Sequence, residues 1–251
     1  MRDDLVSIIT PAYRAAAYIE ATINSVQAQT YANWEMLIAD DCSPDDTRAI
    51  VSRRAATDSR IRLIALDQNG GPARARNAAI AAASGRWLAF LDSDDLWLPA
   101  KLESQLDFQR SEDAALTCTG WRRISADGGR VGRAVSPPHS LNYRQALGLT
   151  GIATSTVVLD RRKTGAVVMK PVYYDDFACW LEVLRSGEIA RGLDLDLMRY
   201  RVMEGSVSRN KLRSAREVWK QLRTVEQLPL PLAARSFASY ALHASLKYRQ
   251  F

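Results

Sequence analysis

The amino-acid sequence predicts an α/β fold whose mostly parallel central sheet is covered by helices on both faces. Through the first 110 residues, short apolar segments typical of strands alternate with longer segments typical of helices. The apolar segments are continuous, as expected for strands that are buried on both faces. Polar clusters follow the first, second and fourth strands, at the sheet edge where open α/β sheets bind ligands.

Local signals predict the elements of this first half one by one. Pro11 ends the first strand in a turn, Pro72 fits the first turn of the third helix, and Gly85 is expected to cap the end of that helix. We expect strands at residues 5–10, 34–39, 61–66 and 87–91, and helices at residues 15–28, 46–57, 72–84 and 99–110.

The second half is less regular and contains no linker that would separate two domains. Asp127–Gly129 is typical of a hairpin turn, and the segment from Asn210 onward is predicted to be helical and broken at Pro229 and Pro231. We expect strands at residues 114–121, 155–159 and 193–202, a short helix at 143–149, and an amphipathic helix that follows residues 173–176 and ends at Arg185.

Composition narrows the class of protein. Hydrophobic residues make up 47% of the chain and charged residues 25%, which is typical of a globular protein. The three cysteines lie far apart, which excludes a disulfide framework and fits a reducing compartment. No apolar stretch reaches the roughly 18 residues of a membrane span, and the N-terminus has no signal-peptide pattern. We therefore expect a cytoplasmic protein.

Positive charge is concentrated at the C-terminal end. Eleven Lys or Arg residues and three Asp or Glu residues lie between Arg199 and Phe251, whereas the whole chain has a formal net charge of +6. This pattern indicates an anionic partner, such as phosphate groups, a membrane surface or nucleic acid. It is equally typical of a solvated helical face.

Several familiar motifs are absent from the sequence. The first strand is not followed by G-x-G-x-x-G, and neither a P-loop nor an H-E-x-x-H sequence occurs. The two histidines, His139 and His243, are too few for a histidine metal site or a convincing catalytic triad.

A cluster of carboxylates, Asp92, Asp94 and Asp95, directly follows the fourth predicted strand. Three carboxylates this close repel one another unless a cation screens them. Mg²⁺ or Mn²⁺, shared with substrate phosphates, would do so. The alternative is an N-terminal cap of the following helix, where acidic side chains are also favourable.

Four motifs lie along the predicted ligand-binding edge in a fixed order. They are T-P-A-Y at residues 10–13, D-D-x-S-x-D-x-T at 40–47, G-x-A-x-A-R-N at 71–77 and L-D-S-D-D-x-W-x-P at 91–99. Together they resemble glycosyltransferase family 2, densely over residues 5–110 and more loosely at 174–181 and 200–208. The resemblance implies the Rossmann-like GT-A fold and transfer of a sugar from a nucleotide sugar to an acceptor hydroxyl.

The resemblance assigns roles on the donor side. Tyr13 would stack on the base of the nucleotide, with Pro11 and Ala12 lining the pocket. An aspartate accepts well from the imide N–H of uracil, so UDP is the expected nucleotide. The other expected roles are base or ribose binding by Asp41 with Asp40, ribose or diphosphate binding by Arg76 and Arg74, ribose or sugar binding by Asp92 with Ser93, and binding of Mn²⁺ or Mg²⁺ by Asp94 with Asp92.

The resemblance also assigns catalysis to the acidic pair Asp175 and Asp176, whose second member would face the acceptor. We expect Asp176 to act as the general base in a single in-line displacement that inverts the anomeric carbon. The metal would stabilise the departing diphosphate. The alternative is that the pair only caps its helix.

Two departures from the family pattern bear on function. Met203 stands where the family often has a histidine near the diphosphate. Without this histidine, leaving-group stabilisation would fall on Arg201, Ser206, Ser208 or Arg209. The missing histidine also keeps open a second interpretation, a non-catalytic sugar-nucleotide-binding protein with a degraded site. The processive Q-x-x-R-W signature is also missing after the acidic pair, which disfavours a processive polymer synthase.

Asp92, Ser93 and Asp94 form a D-x-D motif. Two other enzyme classes that use such a motif are disfavoured. A haloacid-dehalogenase-like phosphatase would carry it on the first strand, whereas here it ends the fourth. A nucleotidyltransferase would carry a glycine-rich signature near the N-terminus, and residues 7–14 contain no glycine.

The resemblance implies one glycosyltransferase domain at residues 1–209, with a nucleotide-sugar half at 1–112 and an acceptor half at 113–209, followed by a helical basic extension at 210–251. Such family members often build bacterial capsule, exopolysaccharide or lipopolysaccharide on lipid carriers. We therefore expect a glycan or lipid-linked glycan acceptor and no nucleic acid partner. The basic extension would allow peripheral contact with the anionic inner face of the membrane.

Overall fold

The computed structural model describes residues 2–149, 152–203 and 211–247. Among these residues, ten strands form one mixed sheet. The strands are β1 (Arg2–Ala12), β2 (Trp34–Asp40), β3 (Ile61–Ala65), β4 (Gly85–Phe90), β5 (Leu96–Trp97), β6 (Leu116–Ile124), β7 (Val131–Val135), β8 (Ser140–Leu141), β9 (Val158–Asp160) and β10 (Ala190–Arg201). Their order is β3-β2-β1-β4-β9-β6-β10-β5, with β7 paired to β6 and β8 to β10.

Helices cover both faces of this sheet. They are α1 (Ile19–Gln27), α2 (Thr47–Thr57), α3 (Pro72–Ala81), α4 (Lys101–Ser111), α5 (Tyr143–Ala146), α6 (Arg161–Thr164), α7 (Asp175–Arg185), α8 (Lys211–Lys220) and α9 (Leu230–Lys247). One buried cluster contains apolar residues of α3 and α7, and a second contains those of α1, α2 and α4. Neighbouring residues of β1, Ile8 and Ile9, belong to different clusters, because successive strand residues point to opposite faces.

The first four strands of the sheet, β3, β2, β1 and β4, are parallel, as the sequence predicts. The central residues of β2, β1 and β4, such as Leu37, Ile8 and Leu88, are fully buried, whereas the edge strand β3 is only partly buried. Burial on both faces explains why the centres of the three inner strands are mostly apolar instead of alternating with polar residues.

Strand β9 joins the parallel half of the sheet to the second half. It runs antiparallel to β4 on one side and to β6 on the other, while β6 and β10 are parallel to each other. A 3₁₀ turn, Thr154–Thr156, replaces the first part of the strand predicted at residues 155–159. Strands β5, β7 and β8 were not predicted, and β5 and β8 have only two residues each, too few for a periodic pattern.

Gly85 has a different role from the predicted one. Helix α3 ends at Ala81 with Ala82 as its cap, and Gly85 is the first residue of β4. A Cβ atom at Gly85 would lie 2.4 Å from the backbone oxygen of Leu5. The glycine is therefore needed for the close approach of β4 to β1 rather than for ending the helix.

The C-terminal segment is helical, and its interruption agrees with one of the two predicted breaks. Helix α8 continues as a π-helical turn, Gln221–Val225, and α9 begins at Leu230, so the interruption includes Pro229 as predicted. Pro231 lies in the first turn of α9, where the missing N–H costs nothing, so the predicted break at Pro231 is wrong. Val218 and Ala233 are fully buried in the same cluster as α7. No helix in the described part of the chain is long and apolar enough to cross a membrane.

Candidate active site

The loops after β1 and β2 are joined at the carboxyl edge of the parallel strands. Three consecutive backbone N–H groups after β1 donate to three side chains after β2. The pairs are Arg14 N–H to Ser43 Oγ at 3.1 Å, Ala15 N–H to Thr47 Oγ1 at 2.8 Å, and Ala16 N–H to Asp45 Oδ2 at 3.1 Å. The Ser, Asp and Thr of the second motif therefore fix the loop that carries Tyr13. The sequence shows this motif but does not predict that its Ser, Asp and Thr side chains hold the neighbouring loop.

Tyr13 lies on this loop with its ring open to solvent. Its side chain is 44% exposed, whereas Ala12 is buried and Pro11 half-buried. The guanidinium carbon of Arg14 lies 5.3 Å from the ring centroid. An exposed aromatic ring at the ligand-binding edge agrees with the predicted stacking on a nucleotide base.

The two aspartates after β2 are both buried, and each already has partners. Asp40 is fully buried and accepts from Arg48 of α2 at 3.0 Å, which argues against direct contact with a nucleotide. Asp41 accepts the backbone N–H groups of Gly70 at 2.9 Å and Gly71 at 2.7 Å, one on each carboxylate oxygen. Asp41 thus shapes the turn before α3, and its contact with the base stays a prediction.

This turn requires glycine at Gly71, which has a φ of +83°, a conformation that other residues rarely adopt. At Gly70, a Cβ atom would lie 2.3 Å from Cδ of Arg74, but this exposed and flexible side chain can move away. The Arg74 side chain lies across the turn and donates to the carbonyl of Gln68 at 3.1 Å. The predicted contact of Arg74 with the donor is untested.

Arg76 connects the two halves of the candidate site. Its buried guanidinium donates to Asp92 at 2.7 Å through Nη2 and to Asp175 at 2.6 Å through Nη1. Burial alone would lower the pKa of Arg76, but Asp92 and Asp175 raise it above its ordinary value. Arg76 therefore holds the loop that follows β4, residues 91–95, against α7; we call this segment the acid loop. The predicted contact of Arg76 with ribose or diphosphate would compete with its two ion pairs.

The acid loop after β4 contains carboxylates in different environments. Asp95 is buried, and it accepts from Ser155 Oγ at 2.6 Å and from the backbone N–H of Arg201 at 2.9 Å. Burial raises its pKa well above the usual range. Burial, with a contribution from the charge of Asp92, raises the pKa of Asp94 to about 6. The carbonyl of Ser93 accepts from Thr22 at 3.0 Å, so Ser93 contributes its backbone to holding the loop.

The alternative that these carboxylates cap the next helix is wrong. That helix, α4, begins at Lys101 with Ala100 as its cap, and β5 lies between it and the acid loop. Asp94 instead fits a cation site, because a cation would offset both the burial of its charge and the repulsion by Asp92, which together raise its pKa. Within the described ranges, no three His, Cys, Asp or Glu side chains form a complete site. Mg²⁺ and Mn²⁺ sites that use substrate phosphates need only one or two carboxylates.

The acidic pair begins α7, as the sequence predicts. Asp175 is buried against Arg76, and burial raises its pKa while Arg76 opposes the rise. Asp176 is half-buried; it accepts the N–H of Phe177 at 2.6 Å and the hydroxyl of Thr154. The N–H contact is typical of the first turn of a helix, so Asp176 stabilises the helix start in addition to any catalytic role.

The 3₁₀ turn before β9 was missed as part of the site. Its Ser155 Oγ accepts the N–H of Asp92 at 3.0 Å, and its Thr154 hydroxyl donates to Asp176. The feature of the sequence that could have indicated this role is a run of three hydroxyl residues at 154–156, which overlaps the start of the strand predicted at 155–159.

Arg201 contacts the acid loop, and its role in leaving-group stabilisation stays a prediction. Its Nε donates to the carbonyl of Asp94 at 2.8 Å and its Nη1 to the carbonyl of Ala126 at 2.8 Å. Met203 is half-buried beyond the end of β10. The other candidates for leaving-group stabilisation, Ser206, Ser208 and Arg209, lie outside the described residues.

Known proteins resemble this chain in sequence and in structure. The family model described as glycosyl transferase family 2 matches residues 7–164. TuaG of Bacillus subtilis (strain 168), to which a role as a teichuronic acid biosynthesis glycosyltransferase is ascribed, is 41% identical over 244 residues, covering 97% of each chain. WfgD of Escherichia coli, a UDP-Glc:α-D-GlcNAc-diphosphoundecaprenol β-1,3-glucosyltransferase, is 38% identical over 231 residues, covering 92% of this chain and 90% of WfgD.

A solved structure shares the fold at low sequence identity. The mannosyltransferase PcManGT from Pyrobaculum calidifontis, in complex with GDP-Man and Mn²⁺, superimposes with a TM-score of 0.70 and 18% identity, covering 99% of this chain and 80% of PcManGT. This similarity confirms the predicted GT-A fold.

Proposed function

The chain belongs to glycosyltransferase family 2, and from this we propose that it transfers a sugar from UDP to an acceptor hydroxyl with inversion at the anomeric carbon. The observation that carries the proposal is the pairing of Arg76 with both Asp92 and Asp175. It brings the acid loop of the donor side against the start of α7, although these segments lie far apart in the chain. An inverting transfer needs a diphosphate site and a base within reach of one anomeric carbon.

The chain's own residues divide the work in this proposal. The ring of Tyr13 stacks on the base, and Asp41 shapes the turn beside it. The carboxylate of Asp176 takes the proton of the acceptor hydroxyl as its oxygen attacks the anomeric carbon. Arg76 keeps Asp92 and Asp175 in place by pairing with both carboxylates.

A divalent cation, Mn²⁺ or Mg²⁺, would be held by Asp94 with Asp92 and by oxygens of the donor diphosphate. When bound, it supplies positive charge that stabilises the departing nucleotide diphosphate. The raised pKa of Asp94 supports this assignment, because it reports unscreened negative charge in a buried setting. The Mn²⁺ in the PcManGT complex also supports it.

Asp94→Ala tests the cation site without relying on turnover. We expect the variant to lose the Mn²⁺-dependent part of thermal stabilisation by UDP, because it removes a ligand, while the fold without ligands stays intact. Thermal shift measurements with UDP, with and without Mn²⁺, check this. Asp107→Ala, which removes an exposed carboxylate on α4, is the control and should behave like the parent. Equal Mn²⁺-dependent stabilisation of the Asp94 variant and the parent would remove Asp94 from the site.

The acceptor that we infer is a hydroxyl of a lipid-linked glycan used in bacterial polysaccharide or cell-wall synthesis. The acceptor named for WfgD is a GlcNAc joined to diphosphoundecaprenol, and TuaG is ascribed to teichuronic acid biosynthesis. Both relatives align along more than nine-tenths of this chain.

A lipid-linked acceptor gives the basic C-terminal segment a role at the cytoplasmic face of a membrane. Arg213, Arg216 and Lys220 are exposed at positions i, i+3 and i+7 of α8, which places them along one side of the helix. Leu212 beside them is 87% exposed. Exposed basic side chains next to an apolar one are typical of helices that lie on anionic lipid. The competing prediction, packing on the catalytic body, accounts for Phe237 and Tyr240 of α9, which pack against the core.

Neutralising this stripe with Arg213→Gln, Arg216→Gln and Lys220→Gln together should weaken binding to anionic vesicles by about a hundredfold, since each basic group contributes about 1 kcal/mol. Co-sedimentation with phosphatidylglycerol vesicles at low and high salt measures it. The control triple variant carries Arg53→Gln, Arg130→Gln and Arg133→Gln. These three arginines are exposed elsewhere on the protein, and their replacement changes the net charge by the same amount. Absence of vesicle binding by the parent at low salt, or equal losses in both triple variants, would contradict the membrane role.

Met203 favours a second candidate function, a sugar-nucleotide-binding protein without catalysis. Methionine neither binds a hard cation well nor protonates a phosphate. Incubation with UDP-sugars and a GlcNAc-diphosphate-lipid, followed by measurement of both transfer and hydrolysis, separates the two functions. The catalytic proposal expects product that depends on the acceptor. Donor binding without transfer or hydrolysis would support the second function.

A further inference from the structure

The 3₁₀ turn Thr154–Thr156 links the acid loop to the start of α7. Ser155 Oγ accepts the N–H of Asp92 at 3.0 Å and donates to Asp95 at 2.6 Å. The residue before it, Thr154, donates its hydroxyl to Oδ2 of Asp176. One short turn therefore contacts both the loop that would face the diphosphate and the side chain that would face the acceptor.

The hydroxyl of Thr154 is suited to orient a carboxylate. Its side chain is buried, with a relative exposure of 7%, and its branched Cβ restricts its rotamers. A hydroxyl has a single proton to donate, and donation to a carboxylate stabilises the ionised form. We propose that Thr154 is a positioning residue that aims the carboxylate of Asp176 at the acceptor hydroxyl. This role rests on the proposed function of Asp176 as the base.

The same turn contains a second threonine, Thr156, whose hydroxyl has a purely structural contact and therefore serves as the control for Thr154. Thr156 is also buried, with a relative exposure of 1%, and its hydroxyl donates to the carbonyl of Ala153 at 2.6 Å, at the start of the same turn. Replacing either threonine with valine keeps the shape and removes one hydroxyl. Only the Thr154 variant removes a contact to the acidic pair.

The experiment compares Thr154→Val, Thr154→Ser and Thr156→Val in transfer assays. We expect Thr154→Val to lower kcat by about tenfold to a hundredfold, since small misplacements of a reacting group have effects of this size. KM for the UDP-sugar should stay unchanged, because the donor site is not altered. Thr154→Ser should restore most of kcat, whereas Thr156→Val should lose stability and keep a kcat close to that of the parent.

The groups that surround Asp176 electrostatically are the same in all three variants. In the described part of the chain they include Asp175 and Cys179 of α7 and Arg76 of α3. A kcat of Thr154→Val equal to that of the parent, or an equal loss of kcat in Thr156→Val, would overturn the proposal.

Failure of the proposed function is recognised separately. If the parent shows no transfer, the ¹³C NMR chemical shift of the Asp176 carboxyl group in the same variants still tests the contact with Thr154. This chemical shift should change in Thr154→Val and stay at the parental value in Thr156→Val. An unchanged chemical shift in Thr154→Val would show that the hydroxyl does not act on the carboxylate.

Discussion

Replacing Asp176 with Asn is expected to lower the rate of sugar transfer by about 10²- to 10⁴-fold, the usual contribution of general base catalysis. Asn has nearly the same shape and can still accept the Thr154 hydroxyl through its amide oxygen. It has no basic oxygen to take the acceptor proton, so the chemical step is lost while donor binding remains. Initial rates at saturating UDP-sugar, together with calorimetric titration of the donor, measure the two effects.

Glu182→Gln is the matched control for this variant. Glu182 lies on the same helix, α7, and pairs at the surface with Lys170 at 2.7 Å. Its loss should leave transfer unchanged. Activity of Asp176→Asn close to that of the parent, or a parallel loss of donor affinity, would show that Asp176 is not the base.

Replacing Arg76 with Met is expected to lower the free energy of unfolding by about 3–5 kcal/mol, the usual cost of breaking a buried ion pair from one side. The substitution leaves Asp92 and Asp175 close together without their shared cation. Burial already raises the pKa of Asp175, and removal of Arg76 raises it further. A raised pKa means that the folded state binds the proton more tightly, so the variant should lose more stability at pH 8 than at pH 5. Urea unfolding at both pH values measures this.

An exposed arginine provides the control for the Arg76 variant. Arg110 pairs with Asp107 at 3.2 Å on the surface of α4. Because exposed ion pairs contribute little, Arg110→Met should change the free energy of unfolding by less than about 1 kcal/mol. A loss of similar size for Arg76→Met would mean that the buried pairs are not needed to hold the acid loop against α7.

The sequence predicts the parallel half of the fold well because its signals are local. The strand expected at residues 34–39 is Trp34–Asp40 in the structure, and the helix expected at 46–57 is Thr47–Thr57. Gly85 was assigned to the wrong element because a glycine after a helix is a common cap. What requires it is the oxygen of Leu5, far away in the chain.

The position of the candidate site was predictable, but the partners of its residues were not. Motifs at strand ends place Tyr13 and the acid loop at one edge of the sheet, because parallel strands share that edge. The contacts of Arg76 with Asp175 and of Thr154 with Asp176 join segments 99 and 22 residues apart. No periodicity or spacing encodes such pairs, since tertiary packing determines them. Asp40 is expected near the donor because it also follows a parallel strand. The structure shows instead that its buried carboxylate pairs with Arg48.

The place of β9 in the sheet affects how the chain is made. Strand β4 pairs with β1 on one side and with β9 on the other, so β4 is an open edge until residues 158–160 leave the ribosome. An unpaired apolar edge is a template on which other nascent chains can pair and aggregate. The three residues of β9 remove that hazard and at the same time supply the edge onto which β6 assembles. Nascent chains that end before residue 158 are therefore the ones that most need chaperone protection.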